Sequence, residues 1–303
     1  MMPATFRPSF QLPIPYNGSF SKRVQGYSAE ICENLEKAAA VEFETRIVSR
    51  REPADGVVVV GMQAPALAAA VRPAQFVMAI PPAGAVAAVA LGIYDVSSEV
   101  VSLLFFVAGR RTRDLASLRI GDALCVLGPL GNGFDLAAPP KDVAIVAGGI
   151  GIASVLLAAR ELARAGSRVR LFYGARTASR LVEYERFAEI GCELSLATED
   201  GSAGERGFVT QALARAPLPE LVLACGPTPM LRATAQFANR ANVPAQLALE
   251  ETFACGVGGC WGCVVPLSQS SSQAPHFPAT DEGIVNARVC REGPVFLASE
   301  LRW

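Results

Sequence analysis

From residue 43 to about residue 136 the chain alternates short apolar runs with turn-forming residues. The runs are Val57-Val58-Val59-Val60, Gln75-Phe76-Val77-Met78, residues 100–106 and residues 123–127. Several short strands at this spacing predict a small antiparallel barrel or sandwich. The texture changes at Pro139-Pro140, after which residues 143–147 form a continuous apolar run followed by glycines and a helical stretch, 154–165. A strand at 169–173, a helix near 181–189, a strand at 193–197, a strand at 221–224 and a helix from Met230 to about Ala241 complete the unit. Strands alternating with helices predict a parallel α/β sheet.

The flanking segments read differently. Residues 1 to about 40 are rich in Pro, Ser and Asn, with one short helical stretch at 29–39, and are expected to form an extension that wraps a partner. From Leu247 onward the chain is Cys- and Gly-rich, then Ser-rich at 268–272. At 303 residues the chain exceeds one ordinary domain. The expected division is an extension over 1–42, an all-β barrel over 43–138, a parallel-sheet domain over 139–245 and a small C-terminal domain over 246–303.

Composition narrows the function. Lys and Arg total 27 against 28 Asp and Glu, so the basic excess that neutralises a phosphate backbone is missing and nucleic acid is not expected as a partner. The charge-free stretch 143–159 contains Gly148, Gly149 and Gly151 and falls short of the ~20 apolar residues of a membrane span. No export signal is visible near the N-terminus. Eight cysteines in such a chain point to reduced thiols or metal ligation, and to the cytoplasm, rather than to a disulfide framework.

Cys255-Gly-Val-Gly-Gly-Cys260-Trp-Gly-Cys263 is a C-x₄-C-x₂-C run with Cys290 downstream, the plant-type spacing for a 2Fe-2S cluster. Glycines between the first two cysteines let the loop wrap closely and aim N–H groups at sulfur. The competing reading is a four-cysteine zinc site, although zinc ribbons present two C-x₂-C pairs and the second is missing here. Of the other cysteines, Cys32, Cys125 and Cys192 read as ordinary thiols. Cys225, at the C-terminal end of a parallel strand, faces the crevice where such sheets bind ligands; small-residue packing is the alternative.

Gly148-Gly149-Ile150-Gly151 follows one strand and opens one helix, where free N–H groups favour a diphosphate. The run departs from G-x-G-x-x-G, and the next strand ends in Gly174-Ala175-Arg176 rather than in a ribose-gripping acid. A tight turn without a ligand is the competing reading. Arg176 either binds a nucleotide phosphate or caps a solvated face.

Taken together, the chain resembles the ferredoxin–NADP⁺ reductase superfamily, and within it is most similar to electron-transfer subunits of NAD-linked, two-component dihydroorotate dehydrogenase. The stretches that carry the resemblance include Arg72-Pro-Ala-Gln-Phe-Val-Met78, Ile93-Tyr-Asp95, Gly121-Asp122, Leu127-Gly-Pro-Leu-Gly-Asn-Gly-Phe-Asp135, Thr198-Glu-Asp-Gly201, Gly207-Phe-Val-Thr210, Ala224-Cys-Gly-Pro-Thr-Pro-Met230 and residues 250–263.

The resemblance implies an FAD barrel, an NAD(P)H domain and a 2Fe-2S domain, with hydride taken from NAD(P)H and electrons passed to a separate catalytic subunit of a hetero-oligomer in pyrimidine biosynthesis. Gly148, Gly149, Ile150, Gly151, Arg176, Gly226 and Pro227 would line the nicotinamide nucleotide, with Cys225 near the hydride-transfer position. Gly92, Ile93, Tyr94, Gly109, Arg110, Arg111 and Thr112 would face the flavin. Cys255, Cys260, Cys263 and Cys290 would hold the cluster.

Two positions depart from the pattern. The places of an expected Arg-Pro-x-Ser read Val89-Ala90-Leu91-Gly92, and a Gly-x-Gly-Thr turn reads Gly109-Arg110-Arg111-Thr112. Either Arg110, Arg111 or Arg113 supplies the lost positive charge from another direction, or the barrel no longer binds FAD. The rival functions are accordingly a diaphorase-type subunit of another oxidoreductase, such as a hydrogenase or sulfide dehydrogenase, and a flavin-free docking and electron-wiring subunit. His276, the sole histidine, is expected to be a solvated loop residue.

Overall fold

The computed structural model describes residues 41–80, 88–275 and 278–303. The N-terminal stretch with Cys32 and the expected helix at 29–39, and His276, lie outside the described residues. Six strands close an antiparallel barrel in the order β1-β2-β5-β4-β3-β6. They are β1 (Val41–Ala54), β2 (Val57–Gln63), β3 (Phe76–Ile80), β4 (Val89–Ser97), β5 (Val100–Phe106) and β6 (Ala123–Leu130).

Closure depends on β1. Its first half pairs with β6 and its second half with β2, and register shifts after Ile47 and after Arg51 bend it between the two. The barrel interior is filled by Ile47, Met62, Val77, Leu103, Phe105 and Val126. Two short helices, α1 (Pro65–Ala70) and α2 (Arg110–Ala116), cover its flank. The Gly109–Thr112 stretch, expected as a turn, therefore opens a helix; the Thr112 hydroxyl accepts the N–H groups of Ala108 and Gly109 at 3.0 Å each.

The second unit is a seven-stranded sheet. Its strands are β7 (Asp142–Gly148), β8 (Arg168–Ala175), β9 (Glu193–Thr198), β10 (Glu205–Arg206), β11 (Leu221–Cys225) and β12 (Ala245–Ala248), joined, after a hairpin of β13 (Val264–Ser268) and β14 (Ile284–Arg288), by β15 (Val295–Leu297). The order is β10-β9-β8-β7-β11-β12-β15, parallel except that β15 runs antiparallel to β12. Helices α3 (Ile152–Arg164), α4 (Glu185–Ile190), α5 (Val209–Arg215) and α6 (Thr228–Ala241) connect the strands. The helix expected near 181–189 is shorter than its apolar pattern predicts. Leu181 and Val182 are buried ahead of it, and Glu183 takes a left-handed φ of 62°.

Helix α3 lies in the seam between barrel and sheet: Leu157 packs into the barrel core while Val155, Leu156 and Leu162 pack on the sheet side. Buried charges lock the same seam. Asp95 of β4 accepts Arg160 Nη1 at 2.6 Å and Arg186 Nη2 at 2.8 Å. Glu183 accepts both terminal nitrogens of Arg51 and the Tyr94 hydroxyl at 2.5 Å each. Removing a single partner from such a group leaves a desolvated charge, which costs far more than a surface pair contributes.

Burial pulls the Glu183 carboxyl upward, but hydrogen bonds from Arg51 and Tyr94, together with the charges of Arg51 and Arg186, outweigh it and hold it below its usual value of 4.5. A depressed folded-state value makes this contribution to stability complete above that pH and lost as pH falls through the folded value. The stability difference between wild type and Glu183→Gln, measured by urea unfolding, is therefore expected to be largest at neutral pH and to shrink below pH 4.5. A difference unchanged down to pH 3 would contradict this account of the seam.

Candidate functional site

Two glycine-bearing turns meet at the carboxyl edge of the sheet. A single 3₁₀ turn, Gly149–Gly151, links β7 to α3, and Gly226-Pro227 links β11 to α6. A Cβ on Gly151 would stand 2.3 Å from the Cys225 carbonyl oxygen, and one on Gly148 2.7 Å from Met230 Sδ. Gly226 has φ +150°, and its Cβ would meet Gly148 Cα at 2.9 Å. The turns thus lie backbone on backbone, which accounts for Gly148, Gly151 and Gly226 by packing alone. Gly149 is different: its φ is +52° and nothing lies within 4 Å of where its Cβ would be, so this part of the turn faces open space. Ile150 is half-buried beside it, and Tyr173 donates its hydroxyl proton to Gly149 O at 3.0 Å.

Pro227 caps α6, and Arg176 is exposed one residue beyond β8. Among the described residues no carboxylate pairs with the Arg176 side chain.

Cys225 ends β11 in register with Ala147 of β7 and Ala248 of β12. Its buried thiol lies 3.5 Å from Glu250 Oε1 and is hydrogen-bonded to the Ser154 side chain. Ser154 in turn occupies the space above Gly92, where a Cβ would be 2.7 Å from its hydroxyl. Barrel strand, helix start, sheet edge and the segment after β12 therefore converge at one recess. Burial, aided by the Glu250 charge, pushes the Cys225 thiol well above its usual value, so at neutral pH it is a neutral thiol and not a nucleophilic thiolate. Glu250 is open to solvent yet ringed by protein, and desolvation raises its carboxyl as well. The apolar and glycine patterns drew no notice to Ser154 or Glu250 as site residues. The signal for Glu250 was its distance, two residues, from a strand in register with Cys225.

The barrel positions divide. Val89, Ala90 and Gly92 are half-buried, whereas Ile93 fills the barrel core and fully buried Tyr94 commits its hydroxyl to Glu183. The side chains of Ile93 and Tyr94, expected to face a cofactor, thus serve packing and the interdomain seam. Arg111 reaches from α2 to the start of β4, where Nη1 donates to Ala88 O at 3.0 Å, one residue from Val89. Arg110 and Arg113 are exposed on the same helix, and among the described residues none of the three pairs with a carboxylate.

The four cysteines of the C-terminal segment come together. Left-handed φ angles at Gly256, Gly258 and Trp261 curl the loop so that N–H groups point at sulfur. Gly258 N–H donates to Cys290 Sγ at 3.2 Å, Cys260 N–H to Cys255 Sγ at 3.4 Å and Cys290 N–H to Cys263 Sγ at 3.5 Å. Cys255, Cys263 and Cys290 are buried and Cys260 is exposed. A hydrogen bond from Cys290 holds the Cys255 thiol down to about 4 and the Cys263 thiol down to about 7, against the opposing effect of burial. The same bonds, with burial, drive the Cys290 thiol far upward. Among the described residues no three Cys, His, Asp or Glu side chains are drawn onto one point as a lone metal ion requires.

This loop is also tied to the barrel. A Cβ on Gly256 would lie 2.4 Å from Met78 Sδ, and the Phe76 and Phe253 rings pack at 4.9 Å. The Asn132 side chain donates to the carbonyls of Glu292 and Val295 at 3.0 and 2.8 Å and accepts Val295 N–H at 2.8 Å.

Residues 250–302 match the family described as the iron-sulfur cluster binding domain of dihydroorotate dehydrogenase B, and residues 145–236 match the oxidoreductase NAD-binding domain. The dihydroorotate dehydrogenase B (NAD(+)) electron transfer subunit of Clostridium acetobutylicum is 37% identical over 212 residues, covering 70% of this chain and 78% of that protein. The chain belongs to the family of dihydroorotate dehydrogenase B electron transfer subunits. The Listeria monocytogenes member is 32% identical and is covered over 99% of its length by 86% of this chain.

A solved structure from work on flavin-based electron bifurcation by an NADH-dependent reduced ferredoxin-NADP oxidoreductase superposes with a TM-score of 0.73 at 29% identity. The match covers 86% of this chain and 90% of that one. The barrel, parallel sheet and C-terminal iron-sulfur domain expected from the sequence are therefore borne out. No described helix is long and apolar enough to cross a membrane.

The close approach of the two turns makes a direct forecast. Gly151→Ala places a methyl against backbone that has no room to move and is expected to cost roughly 1–3 kcal/mol, measured by chemical unfolding. Gly149→Ala adds only the cost of a left-handed residue, about 1 kcal/mol. Equal losses at both positions would contradict the packing account.

Proposed function

We propose that the chain takes electrons from NAD(P)H and passes them, through FAD at the seam and a 2Fe-2S cluster on Cys255, Cys260, Cys263 and Cys290, to a separate catalytic subunit. The complex is of the dihydroorotate dehydrogenase type, at work in pyrimidine synthesis in the cytoplasm. When bound, FAD accepts the two-electron hydride and the cluster carries single electrons onward, a division of labour neither group performs alone. The observation that carries the reading is continuity. The nucleotide turn, the Cys225–Glu250 recess and the cysteine loop follow one another along one sheet edge, with Glu250 only five residues before Cys255.

The residues fit these roles. Gly149, on the open side of the β7–α3 turn, and the helix start behind it offer N–H groups to a nucleotide diphosphate. Cys225, held neutral, gives the nicotinamide a dry contact without reacting with it. Four thiols with three N–H groups directed at sulfur are the donor chemistry of an iron-sulfur site. Arg111, delivered to the start of β4, supplies beside Val89 the positive charge that a flavin diphosphate requires. Exposed Cys260, with Trp261 and Val264 each 39% exposed, forms the face on which the partner subunit docks.

The structural match to a ferredoxin-NADP oxidoreductase supports one second reading, in which the same module serves a complex with another terminal acceptor. Co-purification with a dihydroorotate-oxidising subunit separates the two.

Anaerobic NADH is expected to bleach the visible spectrum of the purified protein, and acid extraction to yield FAD and iron together. A colourless protein, or one holding zinc, overturns the reading. Arg111→Gln is expected to weaken FAD binding about tenfold, as loss of one charge-assisted hydrogen bond does, while leaving iron content unchanged. Undiminished FAD binding would remove Arg111 from the flavin site.

A further inference from the structure

A buried ion pair stands against the cysteine loop. Arg288 closes β14 two residues before Cys290, and its side chain is only 10% exposed. Its Nη1 donates to Gly258 O at 2.8 Å, between the first two cysteines, and the guanidinium carbon lies 4.7 Å over the Trp261 ring, between the second and third. Its remaining nitrogens are taken by Glu292: Nη2 donates to Oε1 at 2.6 Å and Nε to Oε2 at 3.2 Å, while the Arg288 backbone N–H reaches Oε2 at 2.7 Å. The Glu292 side chain is 14% exposed. Arg291 is a further charge on this face, with Nε 4.0 Å from Glu292 Oε1 and its side chain against Gly258.

One guanidinium therefore touches both intervals of the cysteine loop and sits beside the fourth cysteine. Gly258 joins it to the sulfurs directly, because that residue's carbonyl accepts from Arg288 while its N–H donates to Cys290. Reduction by one electron adds one negative charge to the group these sulfurs hold. A neighbouring cation stabilises that charge and a neighbouring anion opposes it, with little screening where water is excluded.

We propose that Arg288 and Glu292 act as a balanced charge pair that sets the reduction potential of the 2Fe-2S cluster, with Arg288 also the positioning residue that holds the ligand loop at Gly258 and Trp261. The inference rests on the cluster reading above and deepens it. Removing the cation leaves Glu292 with only the more distant Arg291, at 4.0 Å, and makes the cluster harder to reduce. Removing the anion leaves Arg288 uncompensated and makes it easier. The two shifts have opposite signs, a pattern that loosened packing does not produce.

The test is an anaerobic redox titration of the purified holoprotein, followed by electron paramagnetic resonance, with iron counted per chain. Arg288→Gln is expected to lower the midpoint and Glu292→Gln to raise it, each by roughly tenfold in the reduction equilibrium, ~59 mV for one electron. The double variant should return close to wild type, and Arg288→Lys should lie between wild type and Arg288→Gln. Shifts of one sign in both single variants, or no shift at full iron content, overturn the proposal. Should Arg288→Gln fail to retain iron, Glu292→Gln decides alone, and the absence of an upward shift refutes the pair. A wild-type protein without iron and sulfide defeats the cluster reading itself, a result distinct from an unshifted potential in a loaded protein.

Discussion

The pairing of β12 with β15 is the constraint on which the rest of the molecule depends. Ala248 lies opposite Val295, and Leu249 N–H donates to Pro294 O at 2.9 Å just beyond that rung. The cysteine-bearing segment leaves the sheet at one partner of this pair and re-enters at the other. Ala248 is also in register with Cys225 on the next strand. The distance between the nucleotide turns and the sulfurs is thereby set by a ladder of backbone hydrogen bonds rather than by a flexible tether. Asn132 reinforces the same point from the barrel by satisfying the backbone of Val295 and Glu292. A single rung therefore holds three units in one geometry, as electron passage between separate groups demands.

Much of this was legible in the sequence, for identifiable reasons. The C-x₄-C-x₂-C spacing specifies chemistry directly, and the alternation of strand and helix after Pro139-Pro140 has two periods that cannot be confused. What escaped notice had weak local signals. Ala245–Ala248 and Val295–Leu297 are four and three residues long, too short for periodicity, and they are strands because long-range partners make them so. Gly109-Arg110-Arg111-Thr112 looked like a turn but folds as a helix start once the Thr112 hydroxyl accepts two backbone N–H groups. The glycine run after β7 offers two readings in sequence, a ligand cradle or a tight turn without a ligand. Three-dimensional contacts divide it into residues required by packing and one, Gly149, that faces open space. Tyr94 could not be separated from a cofactor contact until Glu183, distant in sequence, appeared as its partner.

Charge is placed sparingly and at boundaries. The seam between barrel and sheet holds Asp95 between two arginines and Glu183 between an arginine and a tyrosine, while the barrel core itself is apolar. Paired ions at such a seam cost desolvation energy and return it only when the two surfaces meet in one orientation, so they select an arrangement more than they add stability. The same logic recurs at the cysteine loop, where Arg288 and Glu292 satisfy each other and the loop backbone at once.

The hairpin of β13 and β14 carries a consequence for how this chain has room to change. Val264 pairs with Arg288 at its base, and Val289 N–H donates to Cys263 O at 2.8 Å, so the third and fourth cysteines are set side by side by strand register. The described residues beyond the far end of the hairpin, 269–275 and 278–283, take no part in that register. A change of length there leaves the pairing of Val264 with Arg288 as it is, although Gln273 also donates to the carbonyls of Glu292 and Val295 at 3.2 and 2.7 Å. The fourth cysteine is thus a residue whose address along the chain can drift while its address in space does not, and searches that demand a fixed interval before it will pass over kindred chains.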